Sequence, residues 1–486
     1  MRMTQILDWR PAPGEVVEFL PVADRAPEPH DVPPSGFQRA HLGMAAARRA
    51  TGQRQSPWVA LAFDLPGRAD PEALAGAWQE LVRRHEAYRA WYEPRGDGLA
   101  GFRLPPQALT VRPVRVGTFA TTADLRDHLH RRIDEHTAPG RPGPGLLAGV
   151  VLRGTRSTVY AAIDHAYTDG HSMALLFDEL RTHYAARATA ATAGPTPASA
   201  ATTGPTPATT PAGPDEAVGY LEYNRREHER SLALTPDAPE LALWSAFLAA
   251  GDDGSATASG GFRALSGFPV DLGTDGHALV PGVRLHYPVL TGAQAEAFRA
   301  FCARHGGGFA AGAFAALALA QREFTGNDVY RVLTAVSTRA YPRLLPVHGW
   351  LVNFGPLLFR LPAAPDLAAA VPAAQQGFQR ARAAGDVPLH RALDLLPGTA
   401  LPVIPPMVSY LDGRAAPGSR DFLRTDATLL TGPDGAAGVS MWFNWFRDRA
   451  DLVVTVPDTP QAVQGVPKYL DRVREIILTA ATRPAP

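Results

Sequence analysis

The sequence predicts an α/β protein of two sandwich-like lobes with mixed or antiparallel sheets. Three observations lead there. At 486 residues the chain is too long for one hydrophobic core, which points to two domains of about 200 residues each. Strand-like and helix-like periodicities alternate in both halves, and a low-complexity stretch lies between them. No glycine-rich loop follows a strand, which argues against a doubly wound nucleotide-binding fold.

In the front half, SPWVALAFDL (56–65) reads as a strand. Asp70 before Pro71 marks a helix N-cap with proline at the first helical position, and Leu74, Ala77, Trp78, Leu81 and Val82 form one face. YRAWYE (88–93) is a further strand, GLLAGVVLRG and STVYAAIDHA supply two more, and a helix follows over about 171–184. Residues 188–214 contain only Ala, Thr, Gly, Pro and Ser, so they are expected to form a flexible extended linker. It divides the chain into domains at 1–187 and 215–486. In the back half, Thr291 caps a helix ending near His305, and glycines 306–308 break it. A second helix covers 309–323, with strands at 328–338 and at 349–361, the latter broken at Gly355–Pro356. A hairpin is expected near 439–457, with the aromatic run MWFNWF (441–446) in the core.

Composition excludes several classes. Lys plus Arg and Asp plus Glu are both 47, so the basic excess of a nucleic-acid binder is missing. The N-terminal stretch has no signal-peptide pattern, and the longest apolar run, FAAGAFAALALA (309–320), is too short to span a membrane. The single cysteine, Cys302, keeps helical step with Phe298 and Phe301, so it reads as a core residue and fits a reducing cytoplasm. Nucleophile-elbow, P-loop, zincin-helix and paired-cysteine patterns are all missing.

One stretch concentrates chemistry. AAIDHAYTDGHSMALLF (161–177) places two histidines and two aspartates within residues 164–171, where a buried strand should turn into a helix. Gly170 falls at the turn, beside helix-terminal N–H groups suited to a developing oxyanion. His165 is the candidate general base, because an imidazole titrates near working pH. Asp169 can aim at that imidazole or turn inward and hold the loop. A hydrogen-bonded turn with one polar cap, or a metal site on His165, Asp169 and His171, are competing readings.

Residues 165–170, HAYTDG, carry the H-x-x-x-D-G motif and resemble the condensation-domain superfamily of acyltransferases. That superfamily includes nonribosomal peptide condensation domains, chloramphenicol acetyltransferase, the BAHD enzymes and the polyketide-associated acyltransferases. Other blocks fall in the same order: SGFQRAHL (35–42), LVRRHEAYRAWYE (81–93), and GNDVYRVLTAVSTRAYPRLLPVHGWLVNFGPLLFR (326–360). The N-terminal LDWRPAPGEVVEFLP is most similar to the polyketide-associated branch.

The resemblance implies two chloramphenicol-acetyltransferase-like lobes in a V-shaped pseudo-dimer with a central channel. It also implies a thioester donor on coenzyme A or on a carrier protein's phosphopantetheine arm, a small-molecule alcohol or amine acceptor, and no acyl-enzyme. No bound cofactor, metal, nucleic acid or membrane span is expected, and the protein should be a cytoplasmic monomer. His165 then acts on the acceptor, Gly170 keeps the turn open because nothing larger would fit, and Asp169 pairs with Arg339. Asp164 stands where many condensation domains have a first histidine, so it serves the acceptor side or caps the turn. Tyr167 and Asn353 are candidate channel residues, Asn353 alternatively holding the segment before Pro356. Without adenylation-like or carrier-like sequence, the substrates should arrive in trans. The other class is a non-catalytic condensation-like module that recruits a carrier protein.

Overall fold

The computed structural model describes residues 1–52, 56–96, 98–193, 218–249, 268–274, 279–396, 407–433 and 435–482. It contains two compact α/β units. The first comprises Met1–His228, Arg339–Leu351 and Ala416–Gly432, and the second comprises Glu229–Thr338, Val352–Ala415 and Pro433–Pro486. Two segments of the back half therefore belong to the first unit, which a division at the linker does not anticipate. The reason is pairing: Thr428–Thr431 lies parallel to Arg2–Gln5 and antiparallel to Trp58–Pro66, partners that distance along the chain does not reveal.

The first unit's larger sheet runs in the order Arg2–Gln5, Thr428–Thr431, Trp58–Pro66, Arg156–Asp164, Leu146–Leu152, Glu15–Ala23 and Leu109–Thr118. Strand alternation puts Trp58, Ala60, Ala62, Tyr160 and Ala162 in one cluster with Leu125, Leu129 and Ile133 of the helix Thr122–His136. Phe63, one residue on from Ala62, points the other way and packs edge-on against Phe177 of the helix Gly170–Ala193, ring centroids 5.1 Å apart. The helix Pro71–Arg84 starts on Asp70, whose carboxylate accepts the Glu72 N–H, and its expected apolar face is buried.

The helix that follows the charged stretch is longer than its periodicity suggests. It continues to Ala193, so residues 188–193 of the expected linker are helical, while the rest of 188–214 lies outside the described residues. ATAATA contains no helix breaker, and the first one, Gly194–Pro195, comes after it.

The second unit has its own sheet, in the order Val352–Arg360, Val329–Ser337, Met407–Asp412, Ser440–Trp445, Arg449–Pro457, Val280–Thr291 and Gly435–Ala436. Residues 309–320 of the helix Phe309–Thr325 are all buried, and small side chains let its neighbours approach closely. A Cβ on Gly312 would lie 2.2 Å from Cys302 Sγ, and burial pushes that thiol up to about 12. Thr291 and Gln294 form a reciprocal capping box at the start of Gly292–Arg304. Phe443, Trp445 and Met441 are core residues.

The expected break at Gly355–Pro356 does not occur. Val352–Arg360 pairs with Val329–Ser337 in one unbroken register. It is an edge strand, where proline's missing N–H costs no ladder bond. Gly355 serves packing instead, because a Cβ there would meet the Ala381 carbonyl oxygen at 2.2 Å. Gly355→Ala should therefore cost about 2–4 kcal/mol of the second unit's stability. Gly43→Ala, at an exposed helical position with nothing within 4 Å, should be neutral or stabilise by about 0.5–1 kcal/mol. Equal melting temperatures for the two variants would contradict this assignment.

Candidate active site

The strand Arg156–Asp164 ends inside the first unit, and the chain makes a single turn of 3-10 helix, His165–Tyr167, before the helix at Gly170. This turn is held from several sides. The Asp164 N–H donates to the Gly145 carbonyl at 2.8 Å and the His165 N–H to the Pro57 carbonyl at 3.1 Å. Gln38 Nε2 (2.8 Å) and the Tyr220 hydroxyl (3.2 Å) both donate to the Ala166 carbonyl. Gln38 belongs to the SGFQRAHL stretch (35–42), where Ser35 and Gln38 make a capping box at the start of the helix Gly36–Ala50. One residue thus starts a helix and braces the turn.

Asp169 turns away from the imidazole. It caps the helix Gly170–Ala193 by accepting the Ser172 N–H at 2.8 Å. Its two oxygens also receive Arg339 Nη1 (2.7 Å) and Nη2 (3.2 Å), and the Leu351 N–H at 3.0 Å. Arg339 Nη2 further donates to Ser172 Oγ and to the Val347 carbonyl. Burial opposes ionisation of Asp169, but the guanidinium and the two N–H donors outweigh it and hold the carboxyl below the usual carboxylate range.

The 339–351 segment closes over this pair. Ser172 Oγ donates to the Gly349 carbonyl and accepts the Gly349 N–H. Glycine is required there, since φ is 146° and a Cβ would approach the Tyr220 ring to 2.2 Å. Gly170 is different: a Cβ there would meet nothing within 4 Å, and its φ lies outside the left-handed region. The expectation that nothing larger fits is therefore incorrect as far as the chain itself is concerned.

His165 is partly exposed and its neighbours are aromatic. Trp350 lies against it, centroids 4.3 Å apart and 34° between planes, and stacks on Phe37 at 5.4 Å. Among the described residues no other one bonds Nδ1; the residue's own backbone carbonyl supports the protonated ring. Burial first, and then His41, nonetheless lower the imidazole below its ordinary value, so the uncharged base persists into mildly acidic solution.

Asp164 is buried, accepts the Ala166 N–H at 3.1 Å and pairs with His41 Nε2 at 2.6 Å, so it caps the turn. Tyr167 does not face open space: it is buried, and its hydroxyl accepts the Tyr92 N–H at 3.0 Å. Asn353 belongs to the second unit. Its amide nitrogen donates to the Gly385 and Val387 carbonyls and its oxygen accepts the Phe354 and Leu389 N–H groups, leaving nothing to offer a substrate. His171 gives Nε2 to the Leu345 carbonyl at 3.0 Å. With Asp169 engaged by Arg339, the metal set of His165, Asp169 and His171 does not assemble.

Sequence reasoning missed His41 and Trp350. Both lie in quoted blocks, but no spacing rule links positions 41 and 350 to 165. It also missed a buried group with metal-ligand composition, His85, Glu179 and His348, whose ligand atoms lie within 4.8 Å of one another. His85 Nε2 meets Glu179 at 2.6 Å, a direct hydrogen bond, whereas ligand atoms around a tetrahedral zinc ion about 2.0 Å away sit roughly 3.3 Å apart. The two imidazoles lie 3.8 Å apart, tilted by 31°, and Tyr88 holds His348 Nδ1 at 2.6 Å. Burial and the adjacent His85 push His348 down to about 3. This is a brace of one carboxylate between two rings.

The fold is that of the condensation-domain-like acyltransferases, and the chain is an acyltransferase similar in sequence to enzymes of that superfamily. No family model matches it. Trehalose-2-sulfate acyltransferase PapA2 of Mycobacterium tuberculosis (strain ATCC 25618 / H37Rv) is 28% identical over 492 residues, covering 99% of this chain and 97% of that protein. The 2'-acyl-2-O-sulfo-trehalose (hydroxy)phthioceranyltransferase PapA1 of Mycobacterium bovis (strain BCG / Pasteur 1173P2) is 27% identical, covering 99% and 89%. A solved structure of PapA2 acyl transferase aligns with a TM-score of 0.83 at 26% identity over 99% of this chain and all of that one. The condensation domain of the Monacolin K polyketide synthase MokA shares the fold, with a TM-score of 0.66 at 16% identity over 94% of this chain and 99% of that one.

Removing one partner of the Asp169–Arg339 pair strands the other in a buried setting. Asp169→Ala and Arg339→Ala should each cost about 3–5 kcal/mol, with the double variant far less than the sum. Because the Asp169 carboxyl is depressed in the folded state, the unfolded chain binds its proton first. The pair's contribution is present above about pH 3.9 and is lost as pH falls toward the folded value. Acid unfolding followed by circular dichroism should thus be shallower in a folded Asp169→Asn variant. Additive, mild effects would contradict the pairing.

Proposed function

We propose that this chain transfers an acyl group from a thioester to a hydroxyl of a sugar-containing acceptor in lipid biosynthesis, with His165 as general base. The observation that carries the reading is a partly exposed imidazole of lowered pKa, with no other described residue on its Nδ1, beside the open N-terminal lip of the helix Gly170–Ala193. The full-length likeness to PapA2 and PapA1, whose names specify sulfated trehalose acceptors, supports an alcohol and a lipid product.

The steps follow from the chemistry. His165 Nε2 takes the acceptor O–H proton as the oxygen attacks the thioester carbonyl. The tetrahedral oxyanion forms near the helix lip, where the Gly170 and His171 N–H groups have no acceptor among the described residues, and such donors stabilise developing negative charge. The C–S bond then breaks, and the thiolate recovers the proton from His165. The thiol carrier is coenzyme A or a phosphopantetheine arm; both present the same reacting carbonyl. The open space over Gly170 gives the donor a place to approach.

Purified protein incubated with palmitoyl-CoA or palmitoyl-loaded carrier protein, with trehalose-type and amine acceptors, should release free thiol and an acylated product by mass spectrometry. His165→Ala should fold normally and lose about 10²–10⁴-fold in turnover. The acidic limb of kcat/KM should lie below pH 6.5, since the folded imidazole is lowered. Gly170→Ala should melt like wild type while raising the donor's KM. Wild-type protein that binds a carrier protein tightly but never consumes a thioester would favour the recruitment class instead.

A further inference from the structure

His41 and Gln38 lie one turn apart on the helix Gly36–Ala50 and reach opposite flanks of His165. Gln38 binds the carbonyl of the residue after it, and His41 Nε2 meets the carboxylate of the residue before it at 2.6 Å. The Asp164 oxygen that meets His41 also accepts the Ala166 N–H, so one carboxylate atom joins the helix to the turn. Asp164 is 1% exposed and His41 8% exposed, so solvent screens neither well. The His41 ring lies 6.4 Å from the His165 ring, and it stands edge-on to Trp350, at 89° and 5.8 Å, the same indole that lies against His165.

We propose that the Asp164–His41 pair is a positioning device for His165, through which His41 keeps the base uncharged and seated against Trp350. This rests on the reading of His165 as the base. The end of the pair that faces His165 is the His41 ring, 6.4 Å away, and positive charge held on that side disfavours a second one on His165. The other charged groups acting on His165 are Asp164 on the preceding strand and Asp169 in the following loop, both of which favour its charged form. Arg339 from the 339–351 segment neutralises Asp169, and Trp350 from the same segment is apolar. Tyr220 and Gln38, on the Ala166 carbonyl, carry no charge. His41 is therefore the group that opposes the two carboxylates. An aspartate in place of a first histidine becomes intelligible: the imidazole is supplied from the helix, and the carboxylate holds it there.

The test needs no substrate, so it stands apart from the question of which acyl group is moved. The imidazole signals of [13C-ε1]-histidine-labelled protein are followed by NMR against pH, with His165 assigned from its loss in His165→Ala. In His41→Gln the His165 midpoint should rise by about 0.5–1 pH unit. In His41→Lys, which restores positive charge without the ring, it should stay within about 0.2 unit of wild type. An unchanged midpoint in folded His41→Gln overturns the proposal, as does an equal rise in His41→Gln and His41→Lys. Should His41→Gln fail to fold, His41→Asn takes its place: a raised midpoint in it beside an unchanged one in His41→Lys supports the proposal, and an unchanged midpoint, or an equal rise in both, overturns it.

Discussion

A buried carboxylate with four hydrogen bonds organises the first unit. Asp169 takes two from Arg339, one from the Ser172 N–H that begins the long helix, and one from the Leu351 N–H at the end of the 339–351 segment. Burying an aspartate alone would be prohibitive. Here burial is offset because the donors are a helix-terminal N–H, a segment-end N–H and a guanidinium that is itself held by Ser172 Oγ and the Val347 carbonyl. The pair leaves the base on the other side of the turn and fixes the backbone on which the base is mounted.

From that anchor the rest of the site follows. Ser172 extends the network to both backbone groups of Gly349, which places Trp350 next in line and against His165. His348 is drawn in beside Glu179, braced by His85 and Tyr88. The same short segment thus supplies the cation beneath the turn, the aromatic wall over it and a ring of the neighbouring brace. The helix Gly36–Ala50 supplies the remaining support through Gln38 and His41. His165 is the member of this set with an edge left open, and a rigid mount for a reactive group is what positioning in catalysis requires.

Much of this was legible in the residues. The strand-to-helix change around 161–177 is a local pattern, with a β-branched run, a short polar turn and an apolar helix, so the location of His165, Asp169 and Gly170 could be read directly. The link between Asp169 and Arg339 came from an ordered set of motifs resembling one superfamily, since periodicity cannot pair positions 170 residues apart. For Tyr167 and Gly170 the structure departs from the expectation, and for Asn353 it takes the structural alternative, each for a physical reason. Tyr167 and Asn353 are polar residues whose hydrogen-bonding groups are consumed internally by Tyr92 and by the 385–389 backbone. Gly170 follows the turn, yet its backbone is ordinary and no described residue lies within 4 Å of where its Cβ would be.

By itself the sequence determined the elements and the chemistry available. Hydrophobic periodicity, caps such as Asp70 and Thr291, and breakers such as Gly194–Pro195 act over a few residues and are written locally. It also determined which side chains can move a proton. Tertiary structure alone decided which distant groups meet them. Thr428–Thr431 enters the first unit's sheet through ladder bonds that any extended segment can make, so only the packed fold selects the partner. His41 reaches Asp164 across 123 residues because one helix face and one strand end were brought to 2.6 Å, a contact that depends on where two rigid elements lie and on nothing local to either.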